Sequence, residues 1–339
     1  MRKILLFGLA LAVLFGLLSI GQQGSTLATI KARGKLICGV NKEVPGFGFL
    51  KPDGTFSGFD IDYCKAIAAA VLKDPNAVTY RPLTAAERFV ALNAGEVDVL
   101  IRNTTWTLAR DAKGGNNLDF GPTTFYDGQG FMVPKAKGVK STRDLKGATV
   151  CVLKGTTTEL NLADHFRALG IPFTPLVFDT HDAAFAAYLE GRCDAITADK
   201  SALAARRSTF KNPDDHVILP ETISKEPLGP VYRHGDNEWG DIVNWVVFAT
   251  FFAEEKGITQ ANVATFKSDD PEIKRFLGQE GNLGELLALD KEWAVRVIQA
   301  VGNYGEIYAR NIGPIGIPRA GTPNELWIKG GLIYAMPFR

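Results

Sequence analysis

Cysteine, methionine and histidine are scarce, with 4, 3 and 4 copies in 339 residues, and neither sign of charge dominates: 38 lysines and arginines face 37 acids, a net +1. The charge balance argues against nucleic acid or an acidic membrane surface as the main partner. No CxxC or CxxH spacing suggests zinc. Gly46 and Gly48 do not open a helix in the register of a dinucleotide fingerprint, so neither metal nor cofactor is expected. Long apolar runs are also missing, with one exception. Arg2 and Lys3 precede Ile4 to Leu18, about 15 residues where a membrane span needs about 20, and small and polar residues follow through Ser25. Residues 1–24 therefore read as a signal peptide, cut somewhere between Gly21 and Ala28. No cysteine lies near the cut, so no lipid anchor is expected. Phe248 to Ala253 is too short to span.

What is present is an alternation of strands and helices. Gly34 to Val40 reads as a strand, Phe56 to Leu72 as an alanine-rich amphipathic helix with an acidic first turn, Val78 to Leu83 as a strand, Ala85 to Asn93 as a helix and Val97 to Ile101 as a buried strand. The plan then repeats: a strand at Leu145 to Val152, a helix after Thr157, a strand at Phe173 to Phe178, a helix at His181 to Glu190 and a strand at Cys193 to Thr197. Strand, helix, strand, repeated, makes two α/β units with parallel sheets. Gly128 to Val133 and Gly229 to Arg233 read as the strands that connect them, and Glu238 to Glu255 and Lys291 to Arg310 as closing helices. The chain divides into a first lobe at 25–130, a second at 131–230, and a return to the first with a C-terminal extension at 231–339.

Four cysteines in an exported chain suggest two disulfides. Of three possible pairings, Cys38–Cys64 with Cys151–Cys193 keeps each bridge inside one lobe and is the one expected. Free buried thiols are the alternative.

The densest chemistry lies at Asn103 to Arg110, NTTWTLAR, where a strand ends and Thr107 can cap a new helix. An amide, hydroxyls and a planar guanidinium at one corner suit a carboxylate. A capped helix with a solvated arginine is the plainer reading. Asp199 holds the equivalent corner of the second unit, at the sheet edge where open α/β folds bind ligands.

The segments GFDIDYCKAIAAAV (58–71), NTTWTLAR (103–110), LKGATVCVLKGTTTEL (145–160) and CDAITAD (193–199) resemble the amino-acid-binding proteins of ABC importers. SKEPLGP (224–230), VGNYGEIY (301–308) and LWIKGGLIYAMP (326–337) extend the resemblance to the general L-amino-acid-binding members, over nearly the whole mature chain. It implies a two-lobed type II periplasmic binding fold with two crossing hinge strands. It also implies a monomer in the periplasm that passes L-amino acids to an inner-membrane ABC permease. Carried over by position, Arg110 clamps the ligand carboxylate with Thr105 and Asn103 beside it, the Thr157 amide takes the other carboxylate oxygen, and Asp199 pairs with the ammonium. Arg88 and His181 match contacts to an acidic side chain. Asn41 and Ala85 depart from the binders of basic amino acids and imply a broader pocket. Trp106 is expected near the cleft or in lobe packing. An enzyme on the same fold, such as a cyclic keto-acid dehydratase, would need a further acid, for which Glu43 and Asp182 are the candidates.

Overall fold

The computed structural model describes residues 25–339; the expected signal peptide lies outside the described residues. The first lobe begins with helix α1 (Thr26–Arg33), strand β1 (Leu36–Val40) and a small antiparallel sheet of β2 (Glu43–Val44), β3 (Gly48–Leu50) and β4 (Phe56–Ser57). Helix α2 (Phe59–Leu72), strand β5 (Val78–Pro82), helix α3 (Arg88–Asn93), strand β6 (Val99–Leu100), one turn of helix α4 (Leu108–Asp111) and strand β7 (Leu118–Phe120) follow. The chain crosses at β8 (Phe125–Asp127). The second lobe contains β9 (Gln129–Pro134), β10 (Thr149–Leu153), α5 (Thr157–Leu169), β11 (Thr174–Phe178), α6 (His181–Leu189), β12 (Ala195–Asp199), α7 (Lys200–Arg207) and β13 (His216–Ile218). It returns through β14 (Glu226–Leu228) and β15 (Val231–Arg233) to helices α8 (Asn237–Glu255), α9 (Pro271–Phe276), α10 (Trp293–Val301) and α11 (Tyr304–Asn311).

The two main sheets share one plan. Their orders are β5-β1-β6-β15-β7 and β11-β10-β12-β9-β13. In each, the first three strands run parallel and the fourth antiparallel. The crossing differs from the sequence reading. Gln129–Pro134 and Val231–Arg233 are buried apolar strands, and each is drawn into a lobe sheet. The crossing itself is the shorter antiparallel pair β8–β14, with Glu226 opposite Asp127 and Leu228 opposite Phe125.

Helix α2 is buried on nearly every side, not amphipathic as its sequence suggested, because the β1 sheet, α8 and α10 all pack on it. A helix apolar all round is a helix with neighbours all round. Its entry requires Gly58: at φ 134° a Cβ would lie 2.0 Å from the Phe47 carbonyl oxygen. The expected helix from Lys291 to Arg310 is two helices. Gly302 turns at φ 78° between them, and Asn303 and Glu306 form a reciprocal capping box at the start of α11.

Both expected cysteine pairs stand at disulfide distance, Cys38–Cys64 tying β1 to α2 and Cys151–Cys193 tying β10 to the approach to β12, with Cα separations of 6.1 and 5.6 Å. The C-terminal extension reaches the crossing. Arg319 forks onto Glu254 at 2.7 and 2.9 Å, and Asn324 brackets Tyr126 of β8, accepting from its amide at 2.7 Å and donating to its carbonyl at 3.0 Å. Among the described residues, no helix is long and apolar enough to cross a membrane.

Candidate functional site

Strand β6 lies in the middle of the first sheet, so the residues after it emerge at the centre of the cleft. The Trp106 amide donates to the Pro227 carbonyl at 2.9 Å, and Thr105 bridges to Leu228. These bonds fasten the corner to the crossing strand β14. Asp60, at the start of α2, accepts the Asn103 amide at 3.2 Å and holds Asn103 at φ 39°, a left-handed conformation that asparagine tolerates better than most residues. Burial pushes the Asp60 carboxyl up to about 6. Trp106 stacks on Phe120, 5.6 Å between centroids, and is half exposed, so it packs on its own lobe.

Three buried arginines face this corner. Arg110 spends its amide on the Thr107 hydroxyl, so that donor of the short helix is taken, and its Nη1 donates to the Thr105 carbonyl at 2.8 Å. Burial weakens its hold on its proton, while Glu226 and Asp199 strengthen it. Arg88, at the start of α3, lies 4.6 Å from the Phe89 ring centroid and keeps a buried Nε without a hydrogen-bond partner. Burial, then Arg110 and Arg102, lower its proton affinity. Arg102 donates from Nε to the Leu83 carbonyl at 2.8 Å, and burial brings its guanidinium down to about 10.

The second lobe supplies the opposite charge. Asp199 ends β12, and its carboxyl is pushed well up, first by burial and then by Asp127 and Glu226, with Arg88 and Arg110 opposing. An ammonium beside it would oppose these effects too. The Thr156 hydroxyl caps α5 by accepting the Glu159 amide at 3.1 Å. The amide of Thr157, the first residue of α5, has no partner inside the helix. His181 opens α6. Burial, then Arg102, Arg206 and Arg88, bring its imidazole down to about 3.

These groups wall two adjoining chambers. The inner one, about 30 Å³, is lined by Arg88, Arg102, Asn103, Thr105, Thr157, His181 and Asp199, among others. The outer one, about 170 Å³, is lined by Asn41, Lys42, Glu43, Thr84, Glu87 and Asp179, and shares Arg102, Leu153 and His181 with the first. Arg110 lines neither chamber; it adjoins the inner one through the Thr105 carbonyl. Among the described residues, no group of three His, Cys, Asp or Glu could hold a metal ion.

Sequence reasoning missed Arg102 and Glu226. Arg102 directly follows the expected strand Val97 to Ile101 and precedes NTTWTLAR. Glu226 lies in the SKEPLGP segment, and its position as a lone acid in an otherwise apolar strand was the available signal. The acids required by a dehydratase are already engaged: Glu43 accepts the His181 and Asp182 amides at 2.8 and 3.3 Å, and Asp182 pairs with Arg206 at 2.7 Å. Glu43 belongs to the first lobe and caps a helix of the second, so its contacts hold the mouth of the cleft.

Residues 36–309 match the model of the bacterial extracellular solute-binding proteins, family 3. The chain belongs to this family. It is 52% identical to the general L-amino acid-binding periplasmic protein AapJ of Rhizobium johnstonii, over 98% of each chain. It is 50% identical to the glutamate/glutamine/aspartate/asparagine-binding protein BztA of Rhodobacter capsulatus, over the full length of both. A solved ABC transporter periplasmic binding protein from Brucella ovis, with glutathione bound, superposes with a TM-score of 0.89 at 52% identity, covering 94% of this chain and 100% of that one. The two-lobed periplasmic binding fold is thereby established, and nothing supports the dehydratase alternative.

Proposed function

We propose that this protein captures free L-amino acids in the cleft and delivers them to an inner-membrane ABC permease. It acts as a monomer in the periplasm, where the segment 1–24 directs it. One observation carries the reading: buried guanidinium groups of Arg88 and Arg102 on one lobe and the half-buried carboxylate of Asp199 on the other wall the same small chamber. A free amino acid is a zwitterion and needs that pair on opposite walls. Arg110, Asn103 and the Thr157 amide serve its carboxylate, and Asp199 serves its ammonium. Arg88 and His181 face the side chain. Neutral Asn41 leaves the outer chamber open to acidic, amide and small apolar ligands alike. Calorimetry against the twenty amino acids tests this. Several should bind without being consumed, and binding of none would overturn the reading.

A second reading concerns longer ligands. The outer chamber continues the inner one past Arg102 and His181, so a γ-linked substituent on a glutamyl side chain has somewhere to go. The relative solved with glutathione suggests the probe. Binding of glutathione in competition with glutamate would support this extension; lack of competition would remove it.

A further inference from the structure

Glu226 is almost fully buried on the crossing strand β14, and its carboxylate accepts four hydrogen bonds from neutral side chains. The Thr105 and Thr157 hydroxyls reach Oε2 at 2.5 and 2.8 Å. Ser224 Oγ and Asn161 Nδ2 reach Oε1 at 2.6 and 2.9 Å. Thr105 belongs to the first lobe, Thr157 and Asn161 to the second, and Glu226 to the segment between them.

A hydroxyl has one proton to donate and two lone pairs to offer, and an ionised carboxylate only accepts. Both threonine protons therefore go to Glu226. The 3.4 Å approach of the two hydroxyl oxygens to each other carries no proton. Thr105 and Thr157 both line the inner chamber beside Asp199, and their hydroxyl oxygens meet a ligand there as acceptors. Asp127, opposite Glu226 on β8, and Asp199 both feel the Glu226 charge. This end of the chamber is suited to a cation.

We infer that Glu226 is a positioning residue: it fixes the Thr105 and Thr157 hydroxyls as acceptors, so that with Asp199 they receive the ligand's ammonium while ligand carboxylate recognition falls to Arg110 and backbone amides. This rests on the amino-acid reading above and assigns Thr105 to the ammonium end of the ligand. Glu226 also ties both lobes to the crossing, and a merely structural tie would weaken every ligand alike.

The test compares L-glutamate with glutarate, the same diacid without its amino group, by calorimetry on the full mature chain. The wild type should prefer glutamate by a factor on the order of thirty or more, the value of a desolvated charged contact. Glu226→Met, similar in length and unable to accept the hydroxyl protons, should lower glutamate affinity about tenfold and leave glutarate within about twofold. Thr105→Val should compress the preference in the same way, Thr105→Ser should keep it, and the two weakening changes combined should cost less than their sum. Equal losses for both ligands in Glu226→Met, or an unchanged preference in Thr105→Val, would overturn the proposal. Should Glu226→Met fail to fold, the Thr105 pair decides alone. A wild type that binds no amino acid would fail the functional reading itself, a result separate from a wild type that prefers glutamate while its variants keep that preference.

Discussion

The two lobes repeat one sheet plan but bring opposite charges to the cleft. After β6 the first lobe places Arg102 and Arg110, with Arg88 from α3 beside them; at the end of β12 the second places Asp199 at a corner flanked by the start of α5. Each lobe fastens its central sheet with one disulfide within itself. The difference teaches where specificity resides in such a molecule. The scaffold is duplicated, and on the proposed reading the residues at the strand ends match the ligand's polarity. On that reading, a zwitterion satisfies both lobes at once by bridging them.

Removing the charge of one lobe breaks the comparison most severely. Arg110→Ala should abolish binding of all amino acids alike, since all share the carboxylate, at a cost of roughly 2–5 kcal/mol. Asp199→Asn should do the same from the other wall. Wild-type affinity for either variant, by calorimetry, would show that the two charges do not act as a pair.

The disulfides test whether the lobes are equivalent as scaffolds. They join cysteines 26 and 42 residues apart, and in the chain-entropy model each stabilises by about 3–4 kcal/mol, nearly the same for both. Replacing Cys38 and Cys64 by serine, or Cys151 and Cys193, should lower the melting temperature by similar amounts. Both replacements should leave affinity little changed, because no cysteine lines either chamber. Four reactive thiols in the unfolded, unreduced protein would count against the bridges.

Much of this is legible in the sequence. The helix from Phe59 and the strands at Leu36 and Thr149 follow from local pattern, and Asp199 and Arg110 stand at strand ends, where ligands bind in such sheets. The cysteine pairing followed from keeping each bridge inside one lobe. The position of the crossing was not readable. Phe125–Asp127 and Glu226–Leu228 are three residues each, and only their pairing across about a hundred residues makes them strands. Arg102 reads as an ordinary surface residue until β6 is placed mid-sheet and turns it inward. Glu226 needed Thr105, Thr157 and Asn161, all distant in sequence, to show its role; of its four partners only Ser224 is local.

The charge contrast also requires that His181, on the acidic lobe, stays neutral. Its imidazole is held near 3 in the folded chain, well below the ordinary 6.5. Folded and unfolded chains are both neutral at this residue above about pH 7. As pH falls from 6.5 toward 3 the unfolded chain takes up the proton first, so stability is lost over that window. His181→Asn should therefore gain stability on the order of 2 kcal/mol over the wild type at pH 5 and nothing at pH 8. Denaturant titrations at the two pH values check this, and a variant that gains equally at both would mean that His181 costs stability through packing instead of charge.

The finest distinction lies within the first lobe, between Arg88 and Arg110. Both are buried and lie near the same Phe89 ring, with Cζ at 4.6 and 5.2 Å from its centroid. Arg110 spends one nitrogen on a backbone carbonyl beside the chamber. Arg88 lines the chamber itself and has a buried Nε with no partner among the described residues, an arrangement that leaves its donors for a second carboxylate. Arg88→Ala should therefore weaken glutamate and aspartate about tenfold, near 1.4 kcal/mol, and leave alanine and leucine within about twofold. Relieving the repulsion among three arginines works the other way for every ligand and keeps the net loss small. Calorimetry with the four ligands separates the cases: equal loss for all would make Arg88 part of the scaffold, and selective loss would make it the residue that admits acidic side chains.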